Sequence, residues 1–143
     1  MRFERVHTIR EVWDGVRSGT ADFEGVPHYF ASLFDDAADD WTEHFRLYPV
    51  TTEFMEREKR CWTIFRAWEA KFHDGFAPSE THPGYRGIVP EYDALNDWLD
   101  QCIKTLEPLT TCFSAMFRQR AGQDNLPGGI LRELDVAWTS VAP

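Results

Sequence analysis

The chain is poor in positive charge, and lysine is especially scarce. Fifteen Lys and Arg residues stand against twenty-four Asp and Glu residues, which gives a formal net charge of −9 over 143 residues. Proteins that bind the phosphate backbone of nucleic acids use clustered Lys and Arg side chains, and anionic membrane surfaces attract the same groups. Here the arginines are dispersed. The composition therefore excludes nucleic acids and membranes as expected partners, and it suits a basic protein partner or a small-molecule ligand.

Cysteine pairs and long apolar runs are also absent. The three cysteines are far apart, odd in number and without a C-x-x-C spacing, which indicates reduced thiols in the cytoplasm. No stretch approaches the ~18 apolar residues of a membrane span. The first residues alternate charged and apolar side chains without an apolar core region, so no signal peptide is predicted. We expect a cytoplasmic protein.

Signatures of known chemistry are missing as well. The sequence has no phosphate-binding loop, dinucleotide fingerprint, serine-nucleophile elbow or zinc-protease motif, and we predict no cofactor. The acidic run at 35–43 does not match a calcium-binding EF-hand loop. A solvated acidic turn is the simpler interpretation, and such a run can also dock a basic protein surface.

The chain is instead rich in aromatic side chains, and their spacing predicts secondary structure. Apolar alternation indicates strands at the N-terminal end, with both faces of 26–34 carrying apolar groups, and Glu24-Gly25 is predicted as the tip of a hairpin. Phe45 and Leu47 are predicted to point inward. Trp13 and its preceding apolar residues also match a helical period. The predicted strands are 8–13, 20–23, 26–34, 44–49 and 134–141.

The middle of the chain predicts two helices. A long one begins at an N-cap on Thr51 or Thr52 and runs to about His73, followed by Gly75. Its apolar stripe consists of Phe54, Cys61, Phe65, Trp68 and Phe72. Prolines and glycines, which break helices, predict a loop at 75–89. A second helix is predicted from Pro90 to the turn before Pro108. Residues 110–118 fit a strand or a short helix, and 122–129 are turn-rich.

These elements predict an α+β fold in one domain spanning 1–143. An antiparallel sheet made of the N- and C-terminal strands would pack on one long and one shorter central helix.

Three polar residues near the first turns form the candidate catalytic site. Asp14 and Arg17 lie among turn glycines, and His28 follows a proline. A histidine oriented by a carboxylate is the usual general base, and Arg17 could bind an anion. The alternative is a turn that joins two strands, with Arg17 paired to a carboxylate and His28 a strand histidine.

Other candidate positions are weaker. Asp22 and Trp68 are candidate ligand-binding residues, Asp22 because its carboxylate could orient His28. Glu69 and His73 stand four apart on the long helix, which is a metal-ligand spacing, but a site needs further ligands. An ordinary Glu–His pair is the simpler interpretation, and no metal is predicted.

Three segments resemble an uncharacterised family of small bacterial cytosolic proteins. They are DGVRSGTADFEGVPHYF, WEAKFH and LPGGILRELDVAW, and the resemblance covers much of 11–76 and roughly 117–138. It implies a bacterial, cytosolic origin and no activity, cofactor or partner.

Two functions follow as hypotheses. The first is a binding or interaction protein without catalysis, favoured by the missing signatures, the acidity and the aromatic content. The second is a small enzyme that applies acid–base chemistry to an anionic or polar metabolite at Asp14, Arg17 and His28.

Overall fold

The computed structural model describes residues 1–120 and 133–142, so the turn predicted at 122–129 lies outside the described residues. The chain divides into two compact units. The first contains 1–50, 106–120 and the C-terminal residues from 133, and the second contains the two helices.

The first unit is a closed antiparallel barrel of six strands in the order β1-β2-β3-β4-β5-β6. Each strand pairs with the next along the chain, and β6 pairs with β1 through Glu4 with Val136 and Arg5 with Asp135. The strands are β1 Glu4–Val12, β2 Val16–Phe23, β3 Val26–Asp35, β4 Asp40–Pro49, β5 Cys112–Gln119 and β6 Leu134–Val141.

The predicted α+β fold, a sheet packed on one long and one shorter helix, is therefore wrong. The terminal strands do join one antiparallel sheet, as predicted. However, the pairing of β6 with β1 leaves that sheet without a free edge, so it closes on itself instead of staying open. A closed sheet buries its inner face against its own strands.

Aromatic side chains fill the barrel. The ring of Phe30 lies 5.9 Å from that of Phe45, 5.8 Å from Phe117 and 5.6 Å from Trp138. Phe45 and Leu47 are buried, which confirms their predicted inward direction. The interior side chains of this six-stranded barrel therefore pack against one another.

The predicted hairpin at Glu24-Gly25 is confirmed. Both residues have a positive φ, 53° and 77°, and the Glu4 carboxylate accepts their backbone N–H groups at 3.0 and 2.8 Å. Tyr29 and Phe30 point to opposite faces of β3 and both are buried, as the two-sided apolar pattern predicts.

Several boundaries differ from the predictions, among them the start of β2, which is Val16 and not residue 20. Strand β1 begins at Glu4, four residues before the predicted start, and it is not a helix. The acidic run at 35–43 is only partly a loop, because β4 already begins at Asp40. The ambiguous segment 110–118 forms the strand β5.

The second unit contains α1 (Thr52–His73) and α2 (Pro90–Ile103). Thr51 is the N-cap of α1, its hydroxyl accepting the Phe54 N–H at 3.1 Å, and Gly75 follows the helix with φ 81°, both as predicted. Helix α2 begins at Pro90 as predicted but ends at Ile103, before the predicted last turn. Within the described residues, no helix is long and apolar enough to cross a bilayer.

One ion pair joins the two helices. The Arg60 guanidinium donates to both oxygens of Glu91, at 2.9 and 2.7 Å. This hydrogen bond lowers the pKa of the Glu91 carboxyl and raises the pKa of Arg60. The guanidinium of Arg57 also lies 4.1 Å from the ring centre of Trp98. Two cations of α1 thus contact α2.

Candidate functional site

Arg17 lies on β2 and is 7% exposed, and its guanidinium bonds to the β1–β2 turn and to two neighbouring strands. Nε donates to the Trp13 carbonyl at 2.7 Å, and Nη2 donates to the Asp14 carbonyl at 2.8 Å. Nη1 donates to the Thr42 carbonyl at 3.3 Å and to the Ser32 hydroxyl at 3.4 Å. Arg17 therefore fastens the β1–β2 turn to the start of β4. Its partners are neutral oxygens, not the carboxylate that the turn interpretation predicts.

His28 lies on β3, near the turn of the β2–β3 hairpin, whereas Arg17 lies near the start of β2. His28 pairs with Ala21, and Arg17 precedes Ala21 by four residues on β2. At ~3.3 Å per residue the two positions are about 13 Å apart along the strand. The His28 ring is buried, and its Nδ1 lies 2.7 Å from the Val26 carbonyl oxygen. The ring packs edge to face against Phe23, with the two ring centres 5.6 Å apart. The three candidate catalytic residues do not meet at one point.

Asp22 contacts a different histidine from the one considered in the sequence. Its Oδ1 lies 2.8 Å from Nε2 of His7 on β1, and its backbone carbonyl accepts the Trp138 indole N–H at 3.0 Å. His7 had no sequence signal, because its proximity to Asp22 comes from the antiparallel pairing of β1 with β2. The pair fixes the orientation of the His7 ring.

The two candidate metal ligands on α1, Glu69 and His73, each contact a different neighbour in the structure. The Glu69 carboxylate forms an ion pair with Arg66, and the His73 ring packs edge-on against Phe72 at 5.4 Å. In the part of the chain that the structure describes, no three His, Cys, Asp or Glu side chains are grouped to hold a metal ion.

Trp68 belongs to an aromatic row on α1 and its following loop. Its ring stacks on Phe72 at 5.0 Å and lies 4.5 Å from His82, and its indole N–H donates to the Thr81 hydroxyl at 2.9 Å. The polar and apolar parts of this side chain are thus both engaged within the helical unit.

An open cleft lies at the end of the barrel held by Arg17. Trp13 is 72% exposed there, and Val12 and Phe34 are also exposed. A cleft of about 510 Å³ is lined by Arg10, Glu11, Val12, Trp13 and Trp41. We call these five residues together with Phe34 the barrel-end surface.

Contacts within the barrel-end surface hold Trp41 in place. The rings of Phe34 and Trp41 meet edge to face at 5.2 Å, and the Arg17 guanidinium lies 5.6 Å from the centre of the Trp41 ring. Arg10 is engaged by contacts of its own. Trp13 thus remains the large exposed ring of the surface, beside a fixed partner ring.

Carboxylates lie within the barrel-end surface and on the turns next to it. They lie on the two turns and on the adjoining strand ends, and all are exposed: Glu11, Asp14, Asp35, Asp36, Asp39, Asp40 and Glu43. Asp35 accepts the N–H groups of two residues of its own turn, and Asp40 accepts the N–H of Trp41. Within residues 1–120 and 133–142 the side chains of Asp36, Asp39 and Glu43 make no hydrogen bond or ion pair, so they face solvent.

Sequence reasoning missed Trp13 and Trp41 as a site. A signal was present, because each tryptophan adjoins a turn rich in acidic residues or glycine, where a strand end is open to solvent. The periodicity of 3–13 instead directed attention to burial. A comparison of the chain with protein-family models, curated proteins and solved structures finds no match. Chemically, exposed aromatic faces and carboxylates at one end of a rigid barrel suit ligand binding.

Proposed function

We propose that this protein functions by binding, and that the barrel-end surface is where its ligand or partner sits. One observation carries the proposal: Trp13 exposes 72% of its surface beside a cleft of about 510 Å³. An exposed tryptophan costs free energy in water, and large exposed apolar patches mark interaction sites. A volume of this size is within the range of small-molecule pockets.

The backbone under Trp13 is held rigid. Arg17 bonds to the carbonyls of Trp13 and Asp14, and the Trp13 N–H donates to the Gly15 carbonyl at 2.9 Å. Gly15 has φ 105°, which suits glycine. A ring displayed on a fixed turn loses little conformational entropy when it binds, and such preorganisation favours affinity.

The alternative, acid–base catalysis at Asp14, Arg17 and His28, has less geometric support. Four of the five N–H groups of Arg17 already donate to protein oxygens, which leaves one for a substrate. His28 is buried, and about 13 Å of strand separate it from Arg17, using ~3.3 Å per residue. A general base needs to reach its substrate within hydrogen-bonding distance.

The six tryptophans provide the test. In a ¹H–¹⁵N NMR screen of the full chain against cationic, anionic and neutral planar fragments and short peptides, we expect ligands to shift the indole signals of Trp13 and Trp41. Trp13→Ala lacks the Trp13 signal, and in this variant the ligand-induced shift of the Trp41 signal is expected to need a higher ligand concentration. Phe76→Ala is the matched control, because Phe76 is 82% exposed in the helical unit. Shifts confined to Trp62 and Trp68, or no shift with any ligand, would contradict the proposal.

A further inference from the structure

We infer that the occupant of the barrel-end surface is a cationic segment of a partner protein, a stretch of chain rich in Lys and Arg. This inference rests on the proposed function. The exposed aromatic side chains indicate where the occupant binds, and the negative charge around them indicates that the occupant is positively charged.

The charge imbalance is local and large. Residues 11–43 contain nine Asp and Glu residues, of which seven lie at this end of the barrel and two, Asp22 and Glu24, lie near the β2–β3 turn; the one Lys or Arg in this range is Arg17. Arg17 is buried with its guanidinium bonded to four protein oxygens, so its charge does not stand at the surface. Arg10 lines the cleft but is already engaged. Asp36, Asp39 and Glu43 are exposed and free to pair with incoming cations.

Trp13 adds a second attraction for a cation. The face of a tryptophan ring attracts ammonium and guanidinium groups. The barrel already contains one such contact, the Arg17 guanidinium over Trp41 at 5.6 Å. The methylene stem of a Lys or Arg can pack on Val12 and Phe34, both exposed, while its charged end reaches a carboxylate.

The distribution of the carboxylates around the barrel-end surface favours a peptide over a small cation. The carboxylates occupy both turns, from Asp14 on the β1–β2 turn to Glu43 beyond the β3–β4 turn, whereas the cleft itself is lined by five residues. A small cation would occupy the cleft and leave the free carboxylates of the second turn unused. A peptide with several basic residues would reach both.

The experiment measures fluorescence anisotropy with labelled ten-residue peptides that contain five Lys, five Gln or five Glu among alanines. The full chain is titrated at low and at higher NaCl concentration. We expect the Lys peptide to bind, with weaker binding at higher salt, and the other two peptides not to bind. Trp13→Ala and the double change Asp36→Asn with Asp39→Asn are each expected to weaken binding about fivefold.

A matched control removes two charges elsewhere. Glu56→Gln with Glu107→Gln changes the net charge by the same amount at two exposed positions of the chain, and its affinity is expected to stay unchanged. Urea unfolding of each variant checks that it folds. Equal weakening by the control variant would mean general charge attraction, and it would overturn the inference. Binding of spermidine without binding of the Lys peptide would assign the surface to a small cation and would also overturn it.

The two proposals fail in different ways. If neutral or anionic fragments shift the Trp13 indole while the Lys peptide does not bind, the cationic partner is wrong and the binding surface stands. If no ligand of any charge shifts the Trp13 signal, the binding surface itself is wrong.

Discussion

Replacing Arg17 with methionine tests whether this residue fastens the barrel end. Methionine keeps most of the apolar stem and removes every donor. Two short bonds, to the carbonyls of Trp13 and Asp14 at 2.7 and 2.8 Å, would be lost, together with longer ones to Thr42 and Ser32. Hydrogen bonds with a charged partner contribute about 1.5 kcal/mol each at the lower end, and weak ones about 0.5 kcal/mol, so about 4 kcal/mol is lost.

Part of that loss is offset, because burying a cation without a carboxylate partner costs free energy that Arg17→Met recovers. Trp13 and Asp14 are also exposed, so water can reach their carbonyls. We therefore expect a net destabilisation of about 2 kcal/mol, which is typical of a broken buried hydrogen-bond network. Equilibrium unfolding in urea, followed by far-UV circular dichroism, measures the change.

Two further variants sharpen the Arg17 prediction. Arg2→Met is the matched control, since the Arg2 side chain is 75% exposed and its ion pair with Glu4 is 3.9 Å long. We expect Arg2→Met to change stability by less than about 0.5 kcal/mol. Arg17→Lys keeps the charge, but a single ammonium does not reproduce the guanidinium fork, so most of the loss should remain. An Arg17→Met variant as stable as Arg2→Met, or full rescue by lysine, would refute the fastening role.

Three other predictions test the barrel and the helical unit. Gly19→Ala should destabilise the fold by about 3 kcal/mol or more, the upper end for overpacking, because the added Cβ would lie 2.2 Å from a backbone oxygen. Gly25→Ala should cost only about 1 kcal/mol, because its Cβ would meet nothing within 4 Å and only its positive φ opposes the change. Equal urea midpoints for the two variants would contradict this prediction. Glu4→Ala should accelerate hydrogen exchange at the Gly25 amide, which the Glu4 carboxylate accepts at 2.8 Å; unchanged exchange would remove Glu4 as the anchor of the turn. Arg60 lowers the pKa of Glu91, so this pair stabilises the fold at neutral pH and loses its contribution as the pH falls through the lowered pKa. In Arg60→Met, a ¹³C NMR titration should show that the pKa of Glu91 moves up. An unchanged pKa would exclude the pairing in solution.

Local structure could be predicted from this sequence because local signals specify it. The Glu24-Gly25 hairpin, the Thr51 cap and the inward Phe45 depend on residues that are neighbours in the chain. Turn chemistry, capping and alternation act over a few residues, so one sequence is enough to predict them.

The closure of the barrel could not be predicted in the same way. It depends on the pairing of β1 with β6, where Glu4 meets Val136, and of β4 with β5, where Phe45 meets Phe113. These partners are far apart in the chain, and each of these interfaces has only two register pairs. An open antiparallel sheet and a closed one have the same alternation in each strand. The apolar pattern therefore predicts the strands and leaves closure undetermined.

The candidate site shows how sequence distance and spatial distance diverge in a hairpin. Arg17 and His28 are eleven positions apart in the sequence, and a shared site looked natural because a turn lies between them. In an antiparallel pair, residues meet only when they are equally far from the turn, so His28 pairs with Ala21, and Arg17 lies beside Ser32 instead. Trp13 lies on the β1–β2 turn and Trp41 directly follows the β3–β4 turn, and these two turns bring both rings to one cleft although twenty-eight positions separate them. Trp13 follows the last residue of β1 and Trp41 is the second residue of β4, so neither ring is among those that fill the barrel, and the proposed binding function rests on the exposure of Trp13.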